Sequence, residues 1–169
     1  ALNVVPSEAR YPYSEELEKH LKDLGAETKK VGDDILVIGK NSHASRVEDG
    51  INAFVLLLSG LNDYGVESPA AKFVKEKLLG AYFAEKLLKV NEDDLSGKTS
   101  VNLGRINLSD REEIVDIDMR YPVSFDFEET VEELMKIANE YGFELDVLSH
   151  LAPIHSALDS ELVTSLLAA

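Results

Sequence analysis

Hydrophobic positions along the chain change period several times, and each change marks an element. Asn3–Val5 reads as the start of a strand. After Pro12-Tyr13-Ser14, the residues Leu17, Leu21 and Leu24 fall on one helical face, with Glu15 and Glu16 in the first turn and Gly25 as the stop. Thr28–Val31 and Ile35–Ile38 predict two short strands around the turn Gly32-Asp33-Asp34. A polar loop follows, then a helix from about Gly50 to Leu61 that is apolar nearly all round and therefore calls for burial on more than one side. Ser68-Pro69 opens a further helical stretch reaching about Val90, and Asn91–Thr99 reads as a polar linker.

The second half repeats this grammar. Val101–Leu108 and Ile114–Arg120 predict antiparallel strands around Ser109-Asp110-Arg111-Glu112. Asp126 and Glu129 form a capping-box pattern before a helix whose Phe127, Val131, Leu134, Ile137, Ala138 and Tyr141 share a face, and Gly142 stops it. Phe143, Leu145 and Val147 alternate as a last strand, and Asp159 opens a C-terminal helix carrying Leu162, Val163, Leu166 and Leu167. Arg-Tyr-Pro occurs at residues 10–12 and again at 120–122, each time at a strand end before an amphipathic helix, which suggests two related halves. The expected architecture is α+β, mostly antiparallel sheet with helices packed on one face.

Composition narrows the function. With 169 residues and 44% apolar positions the chain can bury an ordinary core. A net charge of −15 repels phosphate backbones and anionic lipid surfaces, so neither nucleic acid nor a membrane is an expected partner. The absence of cysteine removes disulfide scaffolds, zinc–thiolate sites and thiol nucleophiles, and a cytoplasmic location is the expectation. The most apolar run, Ile51–Leu58, is far short of the ~20 residues that span a bilayer.

No phosphate-binding glycine loop, His-Glu-x-x-His or Gly-x-Ser-x-Gly occurs. Of the four histidines, His20 adjoins a leucine face and reads as a boundary packing residue. His150 and His155 flank Pro153, and a metal site there would need a third ligand, for which Asp159 is the nearby candidate. His43 stands apart, because it lies on a polar loop between a strand and a buried helix, where packed scaffolds carry working residues. Arg120 alternates with Asp116 and Asp118 on the strand face opposite Val115, Ile117 and Met119, a face expected to be open. It is either a surface cation paired with one of those aspartates or a guanidinium held to grip a carboxylate through two parallel hydrogen bonds.

The segments "GKNSHAS" and "GINA", followed by an apolar helix, resemble the substrate-binding signature of the lid, or dimerisation, domain of the zinc aminoacylase, carboxypeptidase and dipeptidase superfamily. "NVVPSEA" from Asn3, "TSVNLGRI" from Thr99 and "VDIDMRYP" from Val115 are similar to further segments of that lid, in the family's order. The nearest likeness is to the bacterial dipeptidase V group, whose enlarged lid holds two related halves. Two departures stand out: the family has Pro where this chain has Val47, and the passage after Ala9 is short.

The resemblance implies a ferredoxin-like lid over residues 1–152, with a first partial subdomain at about 1–34, a second at about 35–148, and 153–169 as the return segment toward a catalytic domain in the same polypeptide. It implies that His43 steadies the oxyanion of a tetrahedral intermediate, and that Arg120, with Asn3, binds the terminal carboxylate of a dipeptide. The two zinc ions of such an enzyme are bound by the catalytic domain, whose ligand motifs do not occur here, so the chain itself is expected to hold no zinc and to be inactive alone. It reads as a lid cut from a larger metallopeptidase; the alternative is a free-standing α+β module for ligand binding or dimerisation.

Overall fold

The computed structural model describes residues 1–153. The first unit is a three-stranded antiparallel sheet of β1 (Glu8–Pro12), β2 (Glu27–Val31) and β3 (Asp34–Ile38), in the order β1-β3-β2. β3 is the central strand, pairing Ala9 with Val37 on one side and Thr28 with Val37 on the other, so residues on both sides of position 34 share one sheet. Helix α1 (Glu15–Asp23) connects β1 to β2; Ser14 caps it through the Leu17 amide, and Leu17 and Leu21 are fully buried.

A turn of 3₁₀ helix, Ala44–Asp49, follows β3 and leads into α2 (Ala53–Tyr64). α2 packs against α1 where Gly60 lets the Leu21 side chain approach. Leu57, Leu58 and Leu61 complete this core with Ile35 and Val37, as an apolar helix covered on several sides requires. α3 (Pro69–Phe73) begins at the Ser68 cap and continues as one π-helical turn, Val74–Leu78.

The helix expected to run to about Val90 therefore stops at Leu78. Gly80 (φ 68°) and Ala84 (φ 59°) take left-handed backbone that no helix continues through. The expected linker at 91–99 contains a small hairpin, β4 (Glu92–Asp93) with β5 (Gly97–Lys98). β6 (Ser100–Leu108) and β7 (Glu113–Arg120) form a long antiparallel ribbon, irregular between Leu103 and Arg105, whose turn is closed by Ser109 N–H donating to the Glu112 carbonyl. α4 (Phe127–Glu140) starts at Asp126, which accepts from the Glu129 amide, and returns Tyr141 and Phe143 against Phe73.

The fold is α+β, and every strand pairing among the described residues is antiparallel. Two expected strands are absent. Asn3–Val5 makes only a single bridge, Val4 to His43, and residues 143–147 form no strand. Arg10 and Arg120 both sit in strands that lead into helices, but the chain returns as β2 after α1 and forms no strand after α4 up to residue 153. No helix among the described residues is long and apolar enough to cross a membrane. The expected C-terminal helix from Asp159 and the return segment, apart from Pro153, lie outside the described residues.

Candidate functional site

The loop after β3 is shaped by contacts on both flanks. Beyond β1 and β3 the two segments keep running beside each other: Gly39 N–H donates to the Ser7 carbonyl at 2.7 Å, Val5 N–H to Ser42 at 2.9 Å, and Ala44 N–H to Asn3 at 3.0 Å. Lys40 and Ile51 exchange two backbone hydrogen bonds of 2.9 Å across the base of the loop. Gly39 is required at this base, since a Cβ there would stand 2.1 Å from the Ile51 carbonyl oxygen.

His43 occupies the exposed tip as N-cap of the 3₁₀ turn. Its Nδ1 accepts from the Ser45 amide at 3.2 Å and lies 2.8 Å from Ser45 Oγ. A backbone N–H can only donate, so in the neutral ring the proton resides on Nε2. The neutral imidazole thus keeps one N–H, on Nε2, for a partner outside the loop. Asn3 is brought beside His43 through the backbone, with Val4, not Asn3, directly opposite the histidine.

Arg120 ends β7 opposite Ser100. Its guanidinium lies 3.7 Å from Asp118 Oδ2, with 44% of the side chain exposed. The aspartates on this face are more covered than expected: the Asp118 side chain is 19% exposed and Asp116, which pairs with Arg105, only 10%. The 3₁₀ turn packs on β6 and the N-terminal segment lies over it, because Asn102, the residue opposite Asp118, binds that segment. Directly paired residues share a face, so Asn102, Asp118 and Arg120 all project toward the side of the ribbon that carries the His43 loop.

Two residues without a role in the sequence reading hold this arrangement. Asn52 caps α2 by accepting from the Phe54 and Val55 amides at 3.0 and 3.2 Å, and donates to Asn102 Oδ1 at 3.1 Å and the Leu103 carbonyl at 2.8 Å. Asn102, 2% exposed, donates to the carbonyls of Leu2 and Val4 at 2.8 and 3.0 Å. By strand alternation Asn102 falls on the polar face, opposite Val101 and Leu103, so no local signal marked it as buried.

Among the described residues no group of three or more His, Asp or Glu is placed to hold a metal ion. His150 stacks on Phe127 with ring centroids 3.7 Å apart and bonds Tyr121 through Nε2; its suggested co-ligands His155 and Asp159 lie outside the described residues. His20 is half-buried beside Tyr64, as a boundary packing residue should be.

No protein family model matches the chain. A protein of Staphylococcus saprophyticus is 27% identical over 175 residues, covering 99% of this chain and 37% of its own length. One of Bacillus subtilis, YtjP, is 28% identical over 181 residues, covering 98% of this chain and 38% of its own. One of Staphylococcus epidermidis is 30% identical over 118 residues, covering 67% and 25%. All three carry the name "putative dipeptidase". The chain thus matches part of dipeptidase-like proteins and spans 37–38% of the length of the first two.

Proposed function

We propose that residues 1–152 are the ferredoxin-like, substrate-binding lid of a zinc-dependent dipeptidase, with 153–169 leading back to the catalytic domain of the same polypeptide. The observation that carries this reading is the state of His43: an exposed imidazole whose Nδ1 is occupied by the Ser45 N–H, leaving Nε2–H for a partner outside the loop. Such a donor suits the oxygen that gains negative charge when a peptide carbonyl is attacked, and it is most valuable where that charge develops. The names of the relatives supply the substrate class.

In this reading Arg120 pairs with the free terminal carboxylate of a dipeptide, and Asn3 lends a further contact beside His43. Asp118 at 3.7 Å keeps the guanidinium near the ribbon but too loosely to neutralise it or occupy its planar fork, which stays available to a carboxylate. The zinc ions would be held by the remainder of the parent protein, since the residues described here do not fit a metal. Zinc there would supply Lewis acidity to the attacked carbonyl. In this reading the enzyme is cytoplasmic, as a chain free of cysteine suggests, and the net charge of −15 disfavours nucleic acid.

The test uses the full-length parent and a panel of free dipeptides. At least one should be cleaved, and His43→Ala should lower its kcat by ~10²-fold with a smaller change in KM. No cleavage of any dipeptide, or a change in KM alone, would overturn the reading.

A further inference from the structure

We propose that Asn102 is a positioning residue that sets where the His43 imidazole stands, acting through the segment Leu2–Val4; this rests on the lid reading above. The segment turns at Leu2 and Asn3, which brings two of its carbonyls within reach of one amide nitrogen, and Asn102 Nδ2 donates to both, to Leu2 O at 2.8 Å and Val4 O at 3.0 Å. It therefore fixes both the height and the direction of the segment. Val4 is the residue bridged to His43, and its neighbours Asn3 and Val5 bond Ala44 and Ser42 on either side of the histidine. Any shift of Leu2–Val4 must move the loop.

The clamp is held from behind. Asn52 fixes Asn102 Oδ1, and with it the amide orientation, while being locked itself by the first turn of α2. The ribbon also yields to the segment: a Cβ at Gly104, in the irregular stretch after Leu103, would meet the Leu2 backbone at 2.7 Å. Both asparagines border an apolar cleft with Val5, Val47, Ile51 and Val101, but their amide hydrogens are all spent inside the fold. They have no donor left for a ligand. Positioning is what the geometry leaves them to do.

A double-mutant cycle in the full-length parent, read on its best-cleaved free dipeptide, tests this. Asn102→Ala should lower kcat by about tenfold with a smaller rise in KM, since the oxyanion donor is displaced while the Arg120 contact stays and only the weaker Asn3 contact shifts with its segment. In a His43→Ala background the same change should lower kcat by less than about twofold, because the residue reaches the charge of the transition state only through the imidazole. Amide hydrogen exchange should accelerate at Val5 and Ala44 and stay unchanged in α1. Asn102→Ser, which keeps one donor, serves if the alanine variant fails to fold and should show the same pattern at smaller size. Additive losses of kcat in the cycle, or an unchanged kcat in a folded Asn102 variant while His43→Ala is impaired, would overturn the proposal. An unimpaired His43→Ala enzyme would instead overturn the lid reading on which it rests.

Discussion

His43 lies directly opposite Val4 in a bridge that no ladder continues. The histidine is therefore not carried by β3 alone. Its backbone is tied to a segment at the other end of the three-stranded first unit, and its ring is tied to its own turn through Ser45. One contact sets the position of the loop and the other sets which nitrogen keeps its proton.

That division predicts the behaviour of substitutions at the ring itself. His43→Gln places an amide N–H within reach of the Nε2 position and should recover about tenfold of the kcat that His43→Ala loses in the full-length parent. Steady-state kinetics on a cleaved dipeptide checks this. A glutamine variant no better than alanine would mean the imidazole does more than donate one hydrogen bond.

Much of this architecture was legible because local signals and tertiary packing agree. Ser14, Asp126 and the Gly32-Asp33 turn act in the structure as their residue types demand. The expectations that failed share a cause. Residues 81–88 keep a helical spacing, as Ala81, Ala84, Leu87 and Leu88 are all buried, yet the Gly80 and Ala84 backbone breaks the helix and the apolar side chains pack as irregular turns. Phe143 alternates as a strand would, but it serves as a stop against Phe73 after α4. The site was legible as the chemistry of single residues and opaque as an arrangement: the bond from Asn102 to Leu2 spans a hundred positions, and no local pattern encodes it.

Gly39 should be the least replaceable position at the loop's base. An alanine methyl would stand 2.1 Å from the Ile51 carbonyl and 3.1 Å from the Ala53 amide, both backbone atoms that cannot swing aside. Gly39→Ala should cost ~2–3 kcal/mol through forced backbone movement and the loss of the Lys40–Ile51 pair. Gly25→Ala is the control: its methyl meets nothing, and only the left-handed φ of 78° is strained, for about 1 kcal/mol. Urea unfolding of the two variants should separate them, and equal losses would mean the loop base can relax.

Asp93 should make the hairpin before the ribbon sensitive to acid. Its carboxylate accepts from Ser124 Oγ at 2.7 Å, which is the largest influence on it, and also from the amides of Leu95 and Gly97 and from both groups of Ser96. These bonds hold its pKa well below the usual carboxylate range. A depressed pKa in the folded state means the unfolded chain binds the proton more readily. The stabilisation is therefore fully present above the unfolded pKa of about 4 and fades as pH falls below it. Asp93→Asn should flatten the fall of the urea midpoint between about pH 5 and pH 3 relative to wild type. Parallel curves would show that the carboxylate's charge is immaterial to the hairpin.

Arg120 offers the sharpest separation between a structural pair and a ligand contact. At 3.7 Å from Asp118 and nearly half exposed, the pair itself should contribute no more than about 1 kcal/mol to folding. Arg120→Ala should therefore leave the urea midpoint nearly unchanged. In the full-length parent the same variant should lose on the order of 2–4 kcal/mol in kcat/KM on a free dipeptide, because the substrate's terminal charge is left unpaired in a partly desolvated site. Substrate chemistry supplies the control. A dipeptide amide has no terminal carboxylate to offer, so it should be a poor substrate of the wild type and lose little more in the variant. Arg120→Lys should recover only part of the loss, since an ammonium supplies charge without the planar fork. Equal losses on the dipeptide and its amide would mean that Arg120 supports closure of the lid and not recognition of the carboxylate. Unchanged kinetics on both would reduce it to a surface partner of Asp118.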